Sequence, residues 1–232
     1  GRAASVHRYF DPDQSDAEYK EAFRAAGLGT VDETPQIVAE RIGKLNIRGV
    51  VVAALDDWAI CTENLDLRVW LMAVARSADP DPNWRDRVRD TKMWMKVPVL
   101  KELAATADVR GQSVNLLLLL GGLLNANDQD ATEYMRRVQA AHADDFWCNF
   151  RLAEMLDATR HPDAIGFYRA ALAIRPKAIA AHVNLGVALV AAKRVEEAVA
   201  QWELALRIDP NSAMVHLNLA VAAVNRGDFD VA

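Results

Sequence analysis

Four asparagines, Asn115, Asn149, Asn184 and Asn218, recur at a near-constant interval of about 34 residues. Each is followed by leucine or phenylalanine. A side-chain amide carries both a donor and an acceptor. A ladder of amides can therefore pair with the backbone of an extended peptide whatever its sequence. Val183, Val187, Leu217 and Val221, with Val190 and Val224 beyond them, share the asparagine side of their helices or its margin, and no lysine or arginine stands among them. Such a lining suits an extended apolar peptide and does not suit a carboxylate clamp, which needs cations. Two plainer readings stay open: the asparagines serve helix starts or loops, and part of the apolar margin is core.

Other clusters offer less chemistry. Arg85, Arg87, Arg89, Lys92, Lys96 and Lys101 are interleaved with Trp84 and Trp94, a basic-aromatic mixture of the kind found in nucleic-acid patches. Asp86 and Asp90 alternate with those cations at the local spacing of a solvated helix face, so nucleic acid is not the expected partner. Asp56-Asp57-Trp58 offers two carboxylates, but neighbours on a helix point about 100° apart and cannot share one proton as a catalytic dyad does. The five histidines, His7, His142, His161, His182 and His216, have no metal-ligand spacing. Gly27-Leu28-Gly29 lacks the third glycine and the preceding strand of a dinucleotide loop, and Gly121-Gly122 lies inside a leucine run. Cys61 and Cys148 belong to no motif and read as reduced structural thiols. No catalytic constellation, metal site or cofactor site is expected.

The elements that must position the asparagines are clearest in Ile179–Asn211. Gly186, Ala198 and Ala205 are small residues that let two antiparallel helices approach. Leu185, Leu189, Val199, Trp202 and Leu206 form an apolar stripe that one helix pair cannot bury by itself. Pro210 lacks an amide donor and ends the second helix. HVNLG from His182 returns as HLNLA from His216, and AIGFYRAALAIRP, closing at Pro176, parallels AVAQWELALRIDP, closing at Pro210. Helix–turn–helix at a period of about 34 is the signature of the tetratricopeptide repeat (TPR). The fold expected is all-α: a right-handed α-α superhelix preceded by an irregular helical region.

Taken in order, residues 1–16 read as a polar lead-in, with Asp16 placed to cap a helix that Gly27 ends. Helices are expected over PQIVAERIGKL, over 47–63 and over 65–78, the last stopped by Asp79-Pro80-Asp81-Pro82. Residues 17–110 form the irregular region. Repeats follow at about 111–144, 145–178, 179–212 and 213–232, the first degenerate, the second shifted in its turn by one residue, the last truncated as DFDVA opens its second helix. Gly1 and Ala232 both read as cut ends of a longer polypeptide. The 232 residues are 52% hydrophobic with a net charge of −5, which allows a sizeable core and gives no general attraction for nucleic acid or an anionic membrane. No signal peptide is visible. The apolar run Leu116–Leu124 is about half the ~20 residues that span a bilayer, so a cytoplasmic protein without a membrane segment is expected.

One further resemblance covers most of the chain. AALDDW, ARSADPDPNWRDRVRD and the FWCNF that opens a repeat resemble the region between the kinase domain and the TPR array of large bacterial serine/threonine protein kinases. The resemblance implies a kinase domain before Gly1 and further repeats after Ala232. The kinase itself is absent: its catalytic loop needs His-Arg-Asp and its metal site Asp-Phe-Gly, and the nearest approaches are Trp84-Arg85-Asp86 and Asp145-Phe146-Trp147. The function expected is a non-catalytic module that binds an extended peptide or partner protein and recruits it to the kinase. The alternative is a regulatory or spacer segment, with the upstream kinase domain itself as the partner of residues 17–110.

Overall fold

The computed structural model describes residues 12–81 and 83–226. Every regular element among them is helical: α1 (Pro12–Ala25), α2 (Pro35–Gly43), α3 (Arg48–Cys61), α4 (Leu65–Ala78), α5 (Arg85–Arg89), a 3-10 turn (Thr91–Met93), α6 (Val97–Thr106), α7 (Val114–Ala126), α8 (Thr132–Ala141), α9 (Phe146–Ala158), α10 (Asp163–Ile174), α11 (Ile179–Ala191), α12 (Val195–Ile208) and α13 (Ala213–Arg226). They fall into two compact units, Gly1–Tyr134 and Met135–Ala232. The DFDVA segment lies outside the described residues.

In the first unit α4 packs on α2 and α3, around Val38, Ile42, Leu55, Trp58, Leu71 and Val74. Asn64 caps α4 by accepting a hydrogen bond from the Leu67 amide at 3.0 Å, which satisfies one of the orphan donors of the first turn. Asp16 does not cap a helix. Helix α1 begins at Pro12, and the Asp16 side chain is buried, accepting hydrogen bonds from Trp58 Nε1 (2.7 Å) and Thr62 Oγ1 (2.8 Å). Tyr19 stacks on the same indole at 5.4 Å. The consecutive residues Asp56, Asp57 and Trp58 point to three different partners, as helical geometry requires: Arg89, the Tyr19 hydroxyl and Asp16.

Arg89 departs from the solvated face expected of WRDRVRD. Its side chain is 1% exposed, and its Nε and Nη2 donate to both oxygens of the fully buried Asp56, at 2.8 and 2.7 Å. Nη1 donates to the Asp79 carbonyl at 3.3 Å. Burial pushes the Asp56 carboxyl pKa up, against the downward pull of the Arg89 guanidinium.

In the second unit α9 packs on α10 and α11 on α12. Ala164, Tyr168 and Ala171 of α10 correspond, one repeat further on, to Ala198, Trp202 and Ala205 of α12, and all six are buried. Gly186 explains the close approach: a Cβ built there would lie 2.2 Å from Trp202 Nε1. That nitrogen donates to the Val183 carbonyl at 3.2 Å. The first helices of the pairs end alike. Asp128, Arg160 and Lys193 adopt positive φ (57°, 57° and 62°). The next amide then bonds back to a leucine carbonyl, Gln129 to Leu124, His161 to Leu156 and Arg194 to Leu189, at 2.9–3.0 Å. This is a Schellman cap built without glycine.

Removing one member of a buried ion pair strands the other without solvent. Arg89→Met is expected to lower the unfolding free energy by about 3–5 kcal/mol, measured by urea denaturation. The double variant with Asp56→Leu is expected to recover a large part of that loss.

Candidate functional site

The asparagine row does not survive as a single ladder. Asn115, on α7 in the first unit, donates to the Ala53 carbonyl of α3 at 3.2 Å. Asn149 is 0% exposed. Its Nδ2 donates to the carbonyls of Ala143 (2.9 Å) and Asp145 (2.7 Å), and its Oδ1 accepts from Gln139 Nε2 at 3.1 Å. Nothing of that amide is left for a ligand. Asn184 is half-buried and hydrogen-bonded to the Tyr168 hydroxyl. Asn218 is half-exposed on α13.

The reason is register. His182 Nε2 contacts the Pro176 carbonyl, and His216 Nε2 the Pro210 carbonyl, each six residues back at 2.9 Å. Asn149 makes the same contact with Ala143, also six back. Asn149 is therefore the counterpart of His182 and His216, and the step from α9 to α11 is one residue short of the full repeat period. The left-handed residues Arg160 and Lys193 give the same shortened step. So do Leu152-Ala153 and Leu185-Gly186, all four buried. The second helices keep the full period because the extra residue falls after α11: Ala198 follows Lys193 by five residues, whereas Ala164 follows Arg160 by four. Aligning LAEML with LGVAL in the sequence would have exposed the shift.

With the register corrected, the open face of each first helix can be read off. On α11 one stripe is formed by Ala180, Asn184, Val187 and Ala191, at i, i+4, i+7 and i+11; Val187 (44%) and Ala191 are exposed, and Ala180 and Asn184 are half-buried. Their counterparts in α13 are Met214, Asn218 and Val221, the last 50% exposed. In α9 they are Trp147, Arg151, Glu154 and Ala158, none of them fully buried. Val183 does not belong to this face, because it lies buried beneath α12. Leu217 is its counterpart on α13, so it stands on the side that in α11 meets the second helix. No described residue covers it, and it is 63% exposed. Val190 is half-buried and Val224 exposed.

Sequence reasoning missed the α9 stripe altogether. Arg151 occupies the place of Asn184 and Glu154 that of Val187, joined by an ion pair of 2.9 Å. Burial raises the Glu154 carboxyl pKa while Arg151 opposes it. Along the three stripes the lining passes from aromatic and charged on α9 to amide and aliphatic on α11 and α13.

The basic cluster of the first unit is largely spent internally. Arg85 pairs with Asp79 at 2.9 Å, Arg87 with Glu102 through both arms at 2.8 Å, and Arg89 with Asp56. The Trp84 and Trp94 indoles donate to the carbonyls of Leu103 and Val88. Among the described residues no group of three or more His, Cys, Asp or Glu is placed to hold a metal ion. No described helix is long and apolar enough to cross a membrane.

Truncating a buried amide leaves its partners unsatisfied, whereas truncating an exposed side chain leaves little behind. Asn149→Ala is expected to cost about 1–3 kcal/mol, and Asn218→Ala less than about 0.5 kcal/mol, both by urea denaturation.

Residues 155–213 match the family model of the tetratricopeptide repeat. No curated protein matches the chain. Among solved structures, MamA from Desulfovibrio magneticus RS-1 is similar with a TM-score of 0.52, at 22% identity over 61% of this chain and 80% of that one. A double mutant of RS-1 MamA is similar with a TM-score of 0.51, at 20% identity over 62% and 86%. The chain is thus an all-helical α-α repeat protein that contains a tetratricopeptide-repeat segment.

Proposed function

We propose that the open face of the second unit is a recognition surface for an extended peptide or partner segment. We further propose that the chain works as a non-catalytic module bringing that partner to a bacterial serine/threonine kinase. The observation that carries the first part is the face of α11 and α13. Val187 is exposed and Asn184, one turn before it, is half-buried, while Ala181, Val183, Leu185, Gly186, Ala188 and Leu189 of the same helix are buried. Asn218 and Val221 repeat the arrangement on α13. Amide beside aliphatic supplies a backbone partner next to an apolar contact, the combination that holds an extended chain by its backbone and by alternate side chains. The kinase connection rests on the resemblance of AALDDW, ARSADPDPNWRDRVRD and FWCNF.

The test is affinity capture from lysate of the source cell, with the chain and its Asn184→Ala/Asn218→Ala variant compared by mass spectrometry after circular dichroism confirms equal helicity. A set of proteins held by the first and lost by the second is the expected result. Identical sets, or none, would sink the reading. For the kinase connection, captured proteins are expected to carry more serine and threonine phosphate than proteins of the flow-through; equal phosphate in both would count against it.

A further inference from the structure

Several arginines of the second unit engage rings or carboxylates, and one of them differs from the rest. Arg136 pairs with Asp163, Arg151 with Glu154, and Arg169 and Arg194 with Glu197. Arg175, the residue that closes α10, makes no ion pair with any described residue and is exposed. It is nevertheless held in place. Its guanidinium carbon lies 4.7 Å from the Phe146 ring centroid and 5.7 Å from that of Trp147. The two rings are locked in turn, edge to face at 5.0 Å, with Phe150 behind both. Arg151 approaches the same Trp147 ring at 5.8 Å, so two guanidiniums converge on one indole and only Arg151 is neutralised. The local acids do not answer Arg175: Asp145 accepts from the Cys148 amide at 2.9 Å as the cap of α9, and Asp144 makes no ion pair with it.

A guanidinium laid against aromatic faces keeps its planar N–H fork free, and that fork matches a carboxylate bidentately. The stacking also removes the entropy that a free arginine would lose on binding. Trp147 heads the open stripe of α9, so this cation stands beside the proposed peptide surface. We propose that Arg175 is a docking point for an acidic side chain of the peptide taken by the open face, and that it sets the direction in which the peptide lies. The inference rests on the peptide-binding reading.

The test is isothermal titration of the whole chain with two synthetic peptides, both acetylated and amidated, carrying leucine at alternate positions. One ends in Asp-Glu and the other in Asn-Gln. A preference of about tenfold for the acidic peptide is expected, the worth of one charge-assisted pair, and it should weaken with added salt. Arg175→Gln is expected to abolish the preference while leaving the affinity for the neutral peptide unchanged. Arg175→Lys is expected to keep only part of it. An Arg175→Gln variant that still prefers the acidic peptide, or a wild type with no preference, would overturn the inference and leave the open face as a peptide surface. Binding of neither peptide by the wild type would remove both readings together.

Discussion

The second unit depends on one contact in which there is no room for another carbon atom. Gly186 brings α11 against the indole of Trp202, and a methyl group there would lie 2.2 Å from Nε1. That approach lets Trp202 reach the Val183 carbonyl. It also buries the alanines at 198 and 205 completely. Once the pair is closed at this distance, the faces of α11 are assigned: one meets α12, another meets α9 and α10 of the preceding pair, and the stripe from Ala180 to Ala191 carries its most exposed residues, Val187 and Ala191. The open face proposed for recognition is thus the remainder of a packing problem, and its composition is free to vary because the core does not use it.

The same logic explains what could be read in the sequence. Second helices were legible because their buried residues are few and unusual in kind: Ala164, Tyr168 and Ala171 return as Ala198, Trp202 and Ala205, and Pro176 returns as Pro210. Steric demand fixes those residue types, so the period appears directly. The asparagines are fixed by nothing so strict. A buried position six residues after a carbonyl needs a donor, and asparagine at 149 meets that need as histidine does at 182. Spacing alone cannot tell an amide that closes the turn between repeats from one that faces a ligand. What separates them is the partner atom, and here the partner of Asn149 is the protein's own backbone.

In the first unit the illegible features were long-range pairings. Asp16 looked like a helix cap because it precedes a helical pattern, yet its partners are 42 and 46 residues away. Arg89 looked like part of a solvated face because charges alternate around it, yet it meets Asp56 33 residues away in the interior. Local alternation of charge is a sound signal for solvent only where no buried carboxylate waits on another element. Two bonded oxygens and a further carbonyl make up for the lost hydration of Arg89, the condition under which a buried charge can persist.

Charge on the open face follows from the corrected register and bears on what the face selects. Had Asn149 belonged to the stripe, all three helices would have offered amide and aliphatic groups, and the surface would have had no polarity along the repeat axis. With Trp147, Arg151 and Glu154 in those places, α9 differs from α11 and α13. The Arg151–Glu154 pair is partly exposed and locally neutral, so it contributes little net attraction. A neutral pair beside an unpaired, stacked arginine makes one end of the surface electrostatically distinct from the other. An extended peptide offers nearly the same backbone pattern in either direction, so amides alone would admit both. An asymmetric charge at one end is the simplest physical means of excluding one of them.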